Sequence, residues 1–390
     1  MIERMKTKIP SIPYYLFYLG LTIELIVVLV ERSVMPLLYE GEIFRVTFAL
    51  FALKICFTKY TKKEWMWLIA FSIMTFIMYR ITGQNVALRA VFFVAAMRGI
   101  NIKEAMKFTL WITLSGLLIT IALSFMGIGR DIKSTEVFRE TVETRYHFGV
   151  GHPNTFFCII LVLLLLFFYC YKERITKPVL ISFAAIIFVL FLFTDSRTGF
   201  AVTIFAMLCA ALYCLFPKIQ RTNWIYYIGI TIFLFCIGIS VWAAANSINA
   251  WHDPIVAQID RIFSGRIKVL YFDNIRNAGS LGTWTLFSSP ESFIASHYFD
   301  MGWVRVFYWF GVIPGLVICL VHLLLLNECR RQKDYMALAL VTVTAIYTIV
   351  EPQFISFYLG RNILLFLFGL YWGQMFFADG DEVNWWRIIR

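Results

Sequence analysis

The chain has 390 residues, of which 60% are hydrophobic and 15% charged, with a net charge of +11 at neutral pH and a mean hydropathy of +0.75. A soluble domain carries about 45–50% apolar and about 25% charged residues, so this composition excludes an ordinary soluble fold. The basic excess does not indicate nucleic acid, because its lysines and arginines lie in short loops between apolar segments and form no solvated basic domain.

Apolar segments long enough to cross a bilayer recur along the whole chain. They predict an all-α, polytopic integral membrane protein: one domain over 1–390, with about twelve transmembrane helices and a large extracytoplasmic loop carrying short surface helices. The spans fall at 13–31, 43–58, 65–80, 84–98, 106–127, 153–171, 178–195, 198–217, 224–245, 301–326, 335–354 and 361–377. The first is too long, and too closely followed by others, for a cleaved signal peptide. The second and fourth are short, and each holds a mid-segment cation, Lys54 and Arg89.

Orientation follows from the loops. Cations precede the first span (Arg4, Lys6, Lys8) and follow the second (Lys59, Lys62, Lys63), fourth (Arg98, Lys103), sixth (Lys172, Arg174), eighth (Lys218, Arg221) and tenth (Arg330, Arg331). Even-numbered loops and both termini are therefore expected on the cytoplasmic side. Two long loops, about 128–152 and 246–300, are then outside. In the second, Asp253-Pro254 reads as a helix start, an acceptor at N-cap before proline at N1. Ile255, Ile259, Ile262 and Phe263 fall on one face, and Ser264-Gly265 reads as a stop. A second helix is expected over Arg266–Asn277, with Trp251 and Tyr271 at the membrane interface. The eight cysteines lie in apolar segments or near their inner ends, without CxxC or Cys/His spacing, so neither a disulfide framework nor a zinc site is expected.

Four polar clusters stand at the outer ends of these spans: Arg145–Asn154, Thr194–Gly199, Arg261–Arg266 and Asp300–Arg305. An ionised group at membrane depth is costly without a partner or a wet cavity, so a shared face of such groups suggests an anionic, polar ligand. In the first, Gly149 and Gly151 allow close backbone approach, and Pro153-Asn154 opens a helix whose free N–H groups favour an anion. The plainer reading is an interfacial helix start with snorkelling cations. Arg197 is either a clamp for Asp195 or a guanidinium fork for phosphate. Arg261 and Arg266 read as phosphate ligands or as a solvated charge pattern. Asp300 opens the tenth span with Arg305 just inside, His297 precedes it by one turn, and Glu351, Gln353 and Arg361 line the last outer loop. Walker, Rossmann, GxSxG and HExxH patterns are absent from the sequence. Asp195, Asp300 and Glu351 lack ligand spacing for a metal, and no cofactor is expected.

The ordered set RYHFGVGHPNTFF (145–157), DSRTGF (195–200), SGR (264–266) and D-x-G-W with Gly311 downstream (300–311) resembles the bacterial polysaccharide polymerases and O-antigen ligases, the Wzy-type polymerases in particular. The resemblance covers roughly residues 145–375. It implies substrates linked to undecaprenyl diphosphate at the outer face of the cytoplasmic membrane, with a flippase and a chain-length regulator as partners. The ligase branch carries a histidine where this chain has Asp300, and some polymerases have an acid there, which argues for a polymerase. The expected reaction is glycosyl transfer from a lipid diphosphate to a sugar hydroxyl. Arg145, Arg197 and Arg266 are expected at the diphosphate, with Asp300 as base and His297 as runner-up. His147, His152, Arg261, Arg305, Glu351 and Arg361 are the expected sugar or phosphate contacts. A ligase acting on another acceptor, and a lipid-linked oligosaccharide flippase or other transporter, are the alternatives. A transporter needs charges through the middle of the membrane, and here only Glu24, Lys54 and Arg89 stand there.

Overall fold

A computed structural model of the chain describes residues 12–33, 39–138, 141–271, 279–288 and 299–376. A helix stands at each segment expected to span: α1 Ile12–Ser33, α2 Glu40–Cys56, α3 Lys62–Thr82, α4 Val86–Ala96, α5 Ile102–Phe125, α6 Pro153–Cys170, α7 Lys177–Thr194, α8 Arg197–Leu215 and α9 Trp224–Ala245. After the short α10 (Asn249–His252) and α11 (Pro254–Ile262) follow α12 Gly302–Phe310, α13 Val312–Gln332, α14 Tyr335–Val350 and α15 Leu364–Phe376. Eight of these helices (α1, α3, α5 to α9 and α13) are long and apolar enough to cross a membrane, the architecture of a polytopic membrane protein.

Local chemistry sets the helix ends. Thr61 and Glu64 form a reciprocal capping box at α3, Asn101 caps α5 through the Glu104 N–H, and Asp334 caps α14 through the Ala337 N–H. Asp253 accepts from the Ile255 and Val256 N–H groups with Pro254 behind it, the helix start read from the sequence. The expected tenth span is not one helix. It breaks at Gly311, whose φ of +97° suits only glycine. A Cβ there would stand 2.5 Å from the Phe287 Cα, because the chain at 286–288 packs directly on the break.

α6 and α7 are both apolar along their length, yet they differ in place. Within α6, 72% of the residues are buried, against 17% within α7. α6 and the almost wholly buried α14 form the centre of the bundle, where α14 packs on α6, α8, α9, α12 and α13. α7 faces outward, where lipid solvates its apolar side chains. The mid-span charges are paired inside. The Arg89 Nη2 meets the Glu24 Oε1 at 2.7 Å, and the Thr47 hydroxyl donates to the same oxygen at 2.6 Å. The Arg89 Nη1 donates to the Phe357 carbonyl at 2.8 Å. Lys54 donates to the Arg98 carbonyl, and Arg98 pairs with Glu64.

Two expectations for the loops need correction. The loop expected at about 128–152, for which no strand is predicted, holds an antiparallel hairpin, β1 Lys133–Phe138 with β2 Thr141–Tyr146, in the register Lys133 opposite Tyr146. The helix expected over Arg266–Asn277 is a turn at Arg266–Ile267 followed by a single 3₁₀ turn, Lys268–Leu270, and an extended Tyr271. Residues 272–277 of that expected helix lie outside the described residues, as does His297. On α11, Val256 and Asp260 point inward, while Ile255 and Ile262 are exposed.

Candidate active site

The four polar clusters named from the sequence converge at one end of the bundle, around Arg266. The turn carrying Arg266 is built by α11. Buried Asp260 accepts from the Ile267 N–H at 2.8 Å and the Lys268 N–H at 3.2 Å. Ser264 and Gly265, at φ +57° and +82°, reverse the chain between them. The reversal directs Arg266 inward onto the end of α14, where its side chain is 10% exposed.

Arg266 makes three hydrogen bonds there. Its Nε donates to the Val350 carbonyl at 2.8 Å, its Nη1 to the Phe263 carbonyl at 3.3 Å and its Nη2 to the Glu351 Oε1 at 2.8 Å. Among the described residues these use three of the five guanidinium N–H groups. The Val350 bond also satisfies a carbonyl left open at the C-terminus of α14. The Asp300 Oδ2 lies 3.8 Å from the Arg266 Nε, within Coulomb range, and its side chain is 33% exposed. The two carboxylates thus differ in commitment: Glu351 is buried and hydrogen-bonded to the arginine, whereas Asp300 is more open and held by charge.

Glu351 is tied to a second helix end. The Asn154 Nδ2, in the first turn of α6, donates to the same Glu351 Oε1 at 2.8 Å, and the Asn154 Oδ1 accepts from the Ser196 Oγ at 2.8 Å. Glu351 lies past the last residue of α14, and burial, together with the charge of Asp300, pushes it up to about 7 against the opposing pull of Arg266.

A neighbouring group extends the network. The Arg32 Nη1 donates to the Thr155 Oγ1 at 3.2 Å, its Nη2 to the Gln353 Oε1 at 3.3 Å, and its Nε stands 3.1 Å from the Glu31 carboxylate. Arg361 pairs with the same Glu31 oxygen and donates from Nη1 to the Ser356 Oγ at 3.3 Å. The ends of α1, α6, α8 and α14 and the turn after α11 are thereby joined by polar side chains.

The remaining sequence candidates sit around this core. Arg145 places its Nε 3.0 Å from the Thr194 carbonyl and its Nη2 2.8 Å from the Asp195 carbonyl, tying the hairpin to the C-terminus of α7. Arg197 forms a bidentate pair with Asp195, both bonds at 3.3 Å, and its side chain is 61% exposed. The clamp reading of that pair describes the geometry present. His147 is buried and accepts from the Gly151 N–H at 3.2 Å, and His152 is the N-cap of α6, accepting from the Asn154 N–H at 3.2 Å. Arg261 is exposed in the last turn of α11. Arg305 does not contact Asp300 through its carboxylate. Its Nε donates to the Phe299 carbonyl at 2.6 Å and its guanidinium lies 4.6 Å from the centre of the Trp309 ring, so it braces the residue before Asp300. Gly149 and Gly151 give close approach to protein groups: a Cβ at Gly149 would meet the Ser124 side chain, and one at Gly151 the Arg130 guanidinium.

Sequence reasoning missed Arg32, Glu31 and Asp260 as site-builders and did not see that the side chains of Asn154 and Ser196 reach into the cluster. Among the described residues no group of three or more His, Cys, Asp and Glu side chains is arranged to hold a metal ion. Comparison with family models, with curated proteins and with solved structures finds no match for this chain.

Proposed function

We propose that this chain is a glycosyltransferase that polymerises undecaprenyl-diphosphate-linked oligosaccharide repeat units at the outer face of the bacterial cytoplasmic membrane, in the synthesis of a capsule, exopolysaccharide or O-antigen. In this reading about twelve segments cross the membrane, both termini are cytoplasmic, and the cluster around Arg266 faces outward. The observation that carries it is the buried Arg266 held between two unlike carboxylates, Glu351 at 2.8 Å and Asp300 at 3.8 Å.

The chemistry requires two things. A sugar hydroxyl of the acceptor attacks the anomeric carbon of the donor, a new C–O bond forms, and the bond to the lipid diphosphate breaks. The diphosphate leaves with the electron pair, and the hydroxyl proton passes to a base. Arg266, with N–H groups beyond those that the described residues use, meets the developing diphosphate charge, and the exposed Arg197 fork adds a second cation at the rim. Asp300 is the base, because it is the more accessible carboxylate and makes no hydrogen bond to Arg266. Arg145 organises the turn between α7 and α8 in place of the direct phosphate contact expected for it. Donor and acceptor are both lipid-linked, and no cofactor is invoked.

The transporter alternative draws no support from the mid-span charges, since Glu24 and Arg89 neutralise each other and Lys54 is bonded to a backbone carbonyl. Purified protein given lipid-linked repeat units, without added nucleotide, tests the proposal. A ladder of lengthened products supports it, and unextended repeats alone refute it. In cells, loss of the protein should leave single repeats displayed outside, whereas loss of a flippase leaves them inside.

A further inference from the structure

Beside the polar cluster the bundle holds a cavity of about 230 Å³. α3 and α4 form one wall and α12 and α13 the other, with α15 behind, packed against both α4 and α13. The lining is almost wholly apolar and includes Phe71, Ala90, Val306, Val317, Leu365 and Phe368. Ala90 and Val317, on opposite walls, are both only half-buried. A space of this kind inside a membrane protein is open to hydrocarbon and hostile to sugar.

Two observations give it a direction. Its upper lining runs into the site: Trp303 lies three residues after Asp300, and Thr348 and Phe354 stand three residues either side of Glu351. Ser356 and Asn362 add polar groups at this end, beside Thr75, His322 and Thr344 elsewhere in the lining. Ser356 accepts from Arg361, which is 8% exposed and whose Nε has no hydrogen-bond partner among the described residues. An apolar slot whose wall at Ser356 is hydrogen-bonded to a buried guanidinium matches a lipid with an anionic head. A space of about 230 Å³ takes only the first isoprene units of one chain, those next to its phosphate, and the rest of a long chain would lie in the bilayer.

We propose that this slot seats the phosphate-proximal isoprene units of the polyprenyl chain of a lipid-linked substrate, so that the phosphate end emerges beside Arg361 and the sugar reaches Asp300. The assignment rests on the polymerase reading. It adds where the chain lies and which helices select it.

The test uses the purified full-length protein in phosphatidylcholine nanodiscs with a polyprenyl diphosphate carrying a photoreactive diazirine on its chain. Labelled peptides should come from α4, α13 and α15 around Ala90, Val317 and Phe368. Labelling should fall about ten-fold in Ala90→Trp and Val317→Trp, which fill the slot from opposite walls, and by less in the milder Ala90→Leu. Excess unlabelled undecaprenyl phosphate should compete, and the same excess of phosphatidylglycerol should not. In polymerisation assays the KM for a polyprenyl donor should rise in these variants about ten-fold more than that for a donor whose lipid is replaced by a methyl group. Label spread over lipid-facing helices such as α7, or competed equally by phosphatidylglycerol, would overturn the seat. Cross-linking needs no turnover, so the two readings fail separately. Slot labelling without any polymer from the native protein refutes the polymerase and keeps the lipid seat. Polymer with labelling elsewhere refutes the seat alone.

Discussion

Replacing Glu351 by glutamine keeps the shape of the side chain and removes its charge. In the native protein Arg266 is 10% exposed and has one hydrogen-bonded carboxylate, at 2.8 Å, and one more distant carboxylate, at 3.8 Å. Removing one partner of a buried ion pair costs about 3–5 kcal/mol. Asp300 remains, and two unit charges near 4 Å attract by about 4 kcal/mol at the effective dielectric of a protein surface, so part of that loss is recovered. A net cost of about 2–3 kcal/mol in holding Arg266 corresponds to a fall of about 30- to 150-fold in kcat/KM. The assay is product-ladder formation in nanodiscs between pH 5.5 and 8.5. Because Glu351 is pushed up to about 7, its ionised form grows as pH rises through neutrality. The native rate should therefore rise with a bend near pH 7, and the glutamine variant should lack that bend. The folded-state value lies above the ordinary 4.5. The stabilising contribution of this group is therefore complete below about 4.5 and lost as pH rises through about 7, opposite in direction to the activity. A variant with the native rate and the native bend would refute the assignment of Glu351 as the anchor of Arg266.

Three further outcomes are expected. Single cysteines placed at Ser134 and Ser280, on a background without native cysteines, should react with an impermeant thiol reagent in intact cells, or in spheroplasts if there is an outer membrane; labelling only after lysis would put the cluster on the cytoplasmic side. Arg197→Lys keeps the charge and loses the fork, so polymerisation should drop about ten-fold at normal protein levels if Arg197 meets diphosphate; native activity would leave it as a clamp for Asp195. Arg89→Met strands the buried Glu24 and should destabilise the protein by about 3–5 kcal/mol in detergent unfolding, with Glu24→Gln restoring part of the loss in the double variant; an unchanged transition would show that the pair contributes nothing.

Apolar runs make helices legible in this chain, because a membrane-spanning backbone must satisfy its own hydrogen bonds. Partnership among the helices was not legible. α6 and α7 have the same mean character, and only packing shows that one is central and the other faces lipid. The break at Gly311 lies inside an apolar run and shows no polarity change. The hairpin was hidden by its charges, although the alternation in Thr141–Tyr146 is a strand signal. The site was legible as a set of helix ends sharing a face, and not as pairs. Arg266 and Glu351 stand 85 residues apart, and nothing in either motif selects the other. Arg32 beside Glu31 looks like an ordinary charged helix end, and Asp260 looks like a solvated acid on a surface helix. Both acquire roles only through the turns and helices folded against them.

The two carboxylates around Arg266 divide the work by their bonding, and this yields an ordered pair of variants. Glu351 holds the arginine through a hydrogen bond and is itself held by Asn154, so its loss disturbs the place proposed for the diphosphate. Asp300 makes no hydrogen bond to Arg266 and keeps a third of its side chain exposed, so it is free to take a proton. Asp300→Asn should accordingly leave donor binding near native and abolish transfer, a loss in kcat with little change in KM. Glu351→Gln should raise KM as well as lower kcat. His297→Gln, at the position outside the described residues, should do less harm than Asp300→Asn. Donor affinity measured by equilibrium binding, beside single-turnover transfer, separates the cases. If Asp300→Asn transfers normally while His297→Gln is inactive, the base is His297. If Asp300→Asn loses binding and Glu351→Gln keeps it, the two carboxylates have exchanged roles, and hydrogen bonding to Arg266 is no guide to which of them anchors the arginine.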